Sequence, residues 1–150
     1  MNSYLTVSKI SMSIVLAILS LLCASCYDVE INDKLRLVNL SNDTVSVLYS
    51  NIRSGDLTPN HVAFFLDDYN LIGPRDTSLI SLLGNNNAWH DYIKGGGNKK
   101  LFIFVFKIDT LKKYEKVYSM NELVEAGKYV KLLQYSEREL VRKHWVIDFK

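Results

Sequence analysis

The sequence predicts a mainly β fold, an antiparallel β-sandwich with short helical connections, set behind an amino-terminal targeting segment. An α+β arrangement is the variant of the same reading. Three observations carry it. Short runs of β-branched and aromatic residues recur along the chain, such as VSVLY at Val45–Tyr49 and LFIFVFKI at Leu101–Ile108. Asn, Asp, Gly and Pro clusters separate them. The longest charge-free apolar run, Ile10–Cys23 (ISMSIVLAILSLLC), stands by itself near the start and follows Lys9.

That run is the first element. A basic residue, a short apolar stretch and then small residues is the pattern of a secretory signal. It is short for a spanning helix, which needs roughly 20 apolar residues. A buried core helix would show a polar face at helical spacing, and Ser11, Ser13 and Ser20 do not form one. The run exits through Leu21-Leu22-Cys23-Ala24-Ser25-Cys26. Small residues directly before Cys26 resemble the bacterial lipobox. The resemblance implies that Cys26 carries a diacylglyceryl group and that the Ser25–Cys26 bond is cleaved. Cys23 stands where that pattern usually has Leu, and Leu21 and Leu22 before it make it the poorer lipidation site. Ordinary cleavage near Ala24, leaving Cys26 as a free thiol, is the competing expectation. Removal of residues 1–25 leaves Cys26 without a partner for a disulfide, and lipidation gives it a use. Two or more acyl chains on one residue anchor stably where one would not.

The expected organisation is therefore a signal peptide at 1–25, a polar tether at 26–33 and one β-rich domain at 34–150. Lys34–Leu40 alternates with Leu35 and Leu37 on one face, a half-buried strand. Ser41-Asn42-Asp43 has turn chemistry, and Val45–Tyr49 follows, so the two strands read as an opening hairpin. Asn51–Asn60 reads as loop, and His61–Leu66 is ambiguous between strand and helix. Gly73–Asp76 is a turn and Thr77–Leu83 a strand. Asn87 is placed to cap a short helix presenting Trp89, Tyr92 and Ile93 on one face, which Gly95-Gly96-Gly97 ends. Leu101–Ile108 is apolar on both faces and therefore central in a sheet. Asp109-Thr110 is placed to cap a turn through Tyr114. Ser119 with Glu122 and Ser136 with Glu139 are two capping boxes, each opening a helix. Gly127 closes the first. Tyr129–Tyr135 and Trp145–Phe149 complete the strands.

Composition excludes several classes. Lys+Arg 18 against Asp+Glu 16 gives a formal charge of +2, which supplies no basic field for nucleic acid. Apolar residues at 48% with charged residues at 23% exclude global disorder. Two Cys are too few for a disulfide scaffold or a Cys-based zinc site. No cofactor is expected.

The order of features is a lipobox, an Asn/Asp hairpin, a Gly-rich link into LFIFVF, a Lys/Tyr-rich helical stretch and a closing strand with Trp145. It resembles the small uncharacterised lipoproteins of gut Bacteroidota. The resemblance implies a lipid anchor in the outer membrane and a β-rich body, and it implies no activity. Asp43-Thr44-Val45 and Asp109-Thr110-Leu111 resemble the tripeptide at which Bacteroidota O-glycosylate exported proteins, with Thr44 and Thr110 as the acceptors.

The remaining chemistry is sparse. His61, His90 and His144 lack metal-ligand spacing, and His90-Asp91 are helix neighbours that do not face each other. Asp67-Asp68 is a candidate carboxylate pair for glycoside hydrolysis, but adjacent residues point apart and a solvated loop is the plainer expectation. No nucleophile elbow, phosphate loop or dinucleotide fingerprint occurs. Trp89 and Tyr92, with Tyr114 and Tyr118, are the candidate ligand aromatics, since ring faces stack on sugars; the competing expectation puts Trp89 and Trp145 in the core. The leading expectation is a non-enzymatic envelope module with a membrane contact through its lipid and a glycan or another envelope protein as partner. A carbohydrate-binding accessory protein and an envelope-polymer hydrolase follow it.

Overall fold

A computed structural model describes residues 30–150. The expected signal peptide and Cys26 lie outside the described residues. The described chain is mainly β. Its strands are β1 (Ile31–Asn39), β2 (Val45–Ser50), β3 (Leu71–Ile72), β4 (Thr77–Leu83), β5 (Leu101–Lys107), β6 (Lys131–Tyr135) and β7 (Val146–Phe149). The helices are α1 (Ala88–Gly95), α2 (Ile108–Tyr114), α3 (Met120–Glu125) and α4 (Glu137–Arg142). Two 3-10 turns, Val62–Leu66 and Asp68–Asn70, resolve the ambiguous His61–Leu66 run and the adjoining acidic loop as helical.

The strands form a three-stranded sheet, β4-β1-β7, and a four-stranded sheet, β3-β2-β5-β6. Leu35, Leu37, Ile80, Ile147 and Phe149 of the first pack against Val45, Ile103, Val105 and Leu133 of the second, with Trp89, Ile93 and Leu140 closing the end. The other face of the four-stranded sheet carries Leu48, Phe102, Phe104 and Phe106, and these pack under Phe65, Leu111, Met120 and Leu123 of the helical segments. The molecule is thus a sandwich with a helical layer on one outer face. This layering explains the LFIFVF run. Alternate side chains of β5 enter two different cores, and all of Leu101–Phe106 is buried.

Three expectations about the strands change. First, β1 and β2 do not pair as a hairpin; they lie in different sheets. Asn39 is the physical reason. It is fully buried, and its Nδ2 donates to the carbonyls of Asp43, Ile72 and Gly73 at 2.8, 3.0 and 3.0 Å. Its Oδ1 accepts from the Ser41 amide at 3.0 Å and the Ser41 hydroxyl at 2.6 Å. The turn residues therefore carry the chain from one sheet to the other, held by the carbonyls before and after β3's end. Second, the sandwich is not wholly antiparallel. β7 runs parallel to β1, with Leu37 opposite Ile147. His144 and Trp145 adopt positive φ of 52° and 59°, turning the chain out of α4, and the Trp145 carbonyl accepts the Arg36 amide at 2.8 Å. Third, β1 begins at Ile31, inside the segment expected as tether. Asn32 opposes Leu82 and Leu35 opposes Ile80, so β1 carries an extra residue there. That bulge lets both Asn32 and Leu35 point inward although three positions separate them. Strict alternation back from Leu35 would have turned Asn32 outward.

Both capping boxes form. Glu122 and Glu139 accept from the Ser119 and Ser136 amides at 2.7 Å each, and the serine hydroxyls accept the return bonds. By contrast Asn87 makes no side-chain cap bond to α1. Asp109 likewise caps nothing: α2 starts directly from the strand, with Lys107 at its cap position.

Candidate functional site

The two sheets leave an opening along one side. β4 is an edge strand, and β3 covers β2 only at Val45 and Ser46. Beyond that point β2 and β4 flank a cleft of about 320 Å³. Val47, Ile72 and Ile80 form its apolar floor, and Leu79, Phe64 and Tyr69 its rim. Thr58, Asn70, Ser78 and Ser81 supply uncharged polar groups. Among the described residues no carboxylate, imidazole, amine or guanidinium lines it.

Local structure sets each rim residue. The 3-10 turn Val62–Leu66 buries Val62 and Phe65 and so directs Phe64 outward, where it is 37% exposed. Tyr69 is 72% exposed and meets Phe64 edge-to-face at 6.1 Å, with 78° between the rings. Its hydroxyl donates to the Asp67 carboxylate at 3.0 Å, which favours the protonated phenol and raises its pKa above the ordinary tyrosine value. Tyr49 spans the gap between the sheets by donating to the Ser81 carbonyl at 3.0 Å. Burial raises its pKa, and the nearby Tyr92 adds to the effect. The Asn70 amide nitrogen is already committed to the Phe64 carbonyl. The cleft can therefore take an uncharged, largely apolar group.

The sequence candidates are placed differently. Trp89 is fully buried, its Nε1 donating to the Asn32 carbonyl at 3.2 Å, so its ring is core and not a sugar platform. This is the competing core expectation for Trp89, and α1 turns that face to the sandwich. Tyr92 is half-buried and packs edge-on to Trp89 and Tyr49. Burial raises its pKa. Tyr114 and Tyr118 pack on each other at 5.3 Å against the helical-layer core. Asp67 and Asp68 are exposed, and one orients Tyr69. His61 and His144 are exposed. His90 Nδ1 lies 2.8 Å from the Glu137 carboxylate, tying α1 to α4, and neither residue lines the cleft. Among the described residues no group of three or more His, Cys, Asp and Glu could hold a metal ion.

Thr44 and Thr110 are brought near each other. The Thr44 carbonyl accepts the Ile108 amide at 3.3 Å, and Lys107 pairs with Asp43 at 2.7 Å, so both tripeptides sit at one end of the four-stranded sheet. Both threonines are half-buried.

The cleft's rim was not among the sequence candidates. Phe64 and Tyr69 sit in a segment with no alternation to read, and Leu79 and Ser81 carry no chemical motif. Only the meeting of distant segments makes them a site. No family model, curated protein or solved structure matches the chain. No helix among the described residues is long and apolar enough to cross a membrane.

Proposed function

We propose that this chain is an exported lipoprotein, fastened to the outer membrane through Cys26, that acts as a non-enzymatic binding module of the cell envelope. The cleft between β2 and β4 is its binding site. The observation that carries the binding reading is the lining: a concave apolar site with uncharged polar groups suits capture of a neutral ligand better than acid–base chemistry. The anchor rests on the Ile10–Cys26 pattern. An apolar stretch of another envelope protein fits the cleft best, because its lining offers no charge to be paired.

A carbohydrate ligand is the second reading, favoured by the exposed Tyr69 and Phe64. Their 78° interplanar angle gives one stacking face at a time and not a flat platform.

Two measurements test the proposal. In the native host, Cys26→Ala should abolish palmitate incorporation and release the protein from envelope fractions; continued labelling refutes the anchor. The intact mass of the mature protein would also show any glycan on Thr44 or Thr110. For the cleft, the uncharged dye Nile red should bind the mature protein, and Tyr69→Asp with Leu79→Asp should weaken it about tenfold, or ~1.4 kcal/mol. Unchanged dye affinity refutes the cleft, and saturable binding of a neutral glycan in an array favours the second reading.

A further inference from the structure

The outer face of the β1–β4 ladder carries unexpected apolar exposure. Ile31 is 61% exposed, Leu83 71% and Leu79 50%. Ile31 and Leu83 are register partners, so their side chains share one face. Leu79, Ser81 and Leu83 alternate along β4 on that same face. The pair lies where β1 begins and β4 ends, and there the Glu30 carbonyl accepts the Gly84 amide at 2.9 Å. Isolated surface leucines need no explanation, but a cross-strand apolar pair at one corner of a sheet does.

The position of Cys26 supplies one. Ile31 follows it by only five positions in the sequence. A fully extended chain covers at most about 3.6 Å per residue, so Ile31 cannot stand more than about 18 Å from the anchored cysteine. The start of β1 at Ile31 shortens the tether further than the acidic segment suggested.

We infer that the Ile31–Leu83 corner rests on the bilayer, its two side chains reaching into the headgroup–acyl boundary while the lipid on Cys26 holds it there. The inference rests on the lipid-anchor reading above. Glu30 and Asp33 flank the corner, so apolar contact and not attraction to anionic lipid drives it.

The test uses the acylated mature protein in phosphatidylcholine vesicles that contain a spin-labelled lipid with its nitroxide near the headgroup boundary. A polarity-sensitive fluorophore is attached at Leu83→Cys, and in a second sample at Val117→Cys on the far helical layer. Intact mass establishes acylation in each sample first. Acylated protein quenched at least fivefold more at position 83 than at position 117 is the expected result. Acylated protein with equal quenching at both positions overturns the inference and leaves the anchor standing. Protein that carries no acyl groups overturns the anchor and the inference together.

Discussion

Replacing Asn39 by alanine removes the side chain that switches the chain between sheets. Five hydrogen-bond contacts end on it: its two amide hydrogens are shared among the carbonyls of Asp43, Ile72 and Gly73, and its Oδ1 accepts two bonds from Ser41. The bond to the Ile72 carbonyl is buried and the others are partly so. Each bond contributes about 1 kcal/mol net, and a buried carbonyl left without a donor costs about 1–3 kcal/mol. Water can reach the partly buried groups once the side chain is gone, so the losses do not add in full. The expected destabilisation is about 3–5 kcal/mol, a large share of the ~5–15 kcal/mol that a domain has. Urea unfolding followed by tryptophan fluorescence reads it, since Trp89 is fully buried and Trp145 half-buried in the same core. Asn39→Asp separates the bonds from the volume. It preserves size and the Ser41 acceptor but turns a carboxylate toward three carbonyls, and it should cost at least as much at neutral pH. A loss below about 1 kcal/mol for Asn39→Ala would show that the clasp merely accompanies the sheet switch.

Three further outcomes are expected. Phe104→Ala empties a buried site edge-on to Tyr129 and should cost about 3–5 kcal/mol in the same unfolding assay. Gly96→Ala should destabilise by about 1–3 kcal/mol, because an added Cβ would collide with the Asn51 carbonyl; a thermal midpoint equal to that of the parent would contradict the close approach. Hydrogen bonds from Ser119 and Ser136 lower the pKa values of Glu122 and Glu139. The folded state then binds these protons less readily than the unfolded one, so the boxes stabilise above the ordinary glutamate range and lose that contribution as pH falls through the lowered values. The double variant Ser119→Ala/Ser136→Ala should be less stable at neutral pH, with the difference narrowing in acid; a difference that widens in acid would refute the assignment.

What the sequence revealed was local. The capping boxes need residues three positions apart, and both formed as read. The Leu101–Phe106 run announced a strand covered on both faces, because its length and its β-branched and aromatic content suit a strand whose two alternating faces are both hidden. What it concealed was long-range. Ser41-Asn42-Asp43 has the chemistry of a hairpin turn, and only the Ile72 and Gly73 carbonyls meeting Asn39 make it a crossing between sheets. Trp89 on an amphipathic helix looks the same whether its face meets solvent ligands or a core. The cleft assembles from the segments around Val47, Phe64 and Leu79, none of which bears a signature by itself. The bulge in β1 also hid the strand's true start, since it breaks the alternation that marks one.

The parallel pairing of β1 with β7 sets an order on assembly. β1 occupies the middle of its sheet, between β4 and β7. Leu37 must wait for Ile147, which the ribosome adds only after the other described strands have been made. Until then the first strand keeps an open flank, and the inter-sheet core lacks Ile147 and Phe149. The inter-sheet core therefore closes fully only when β7 is in place beside β1.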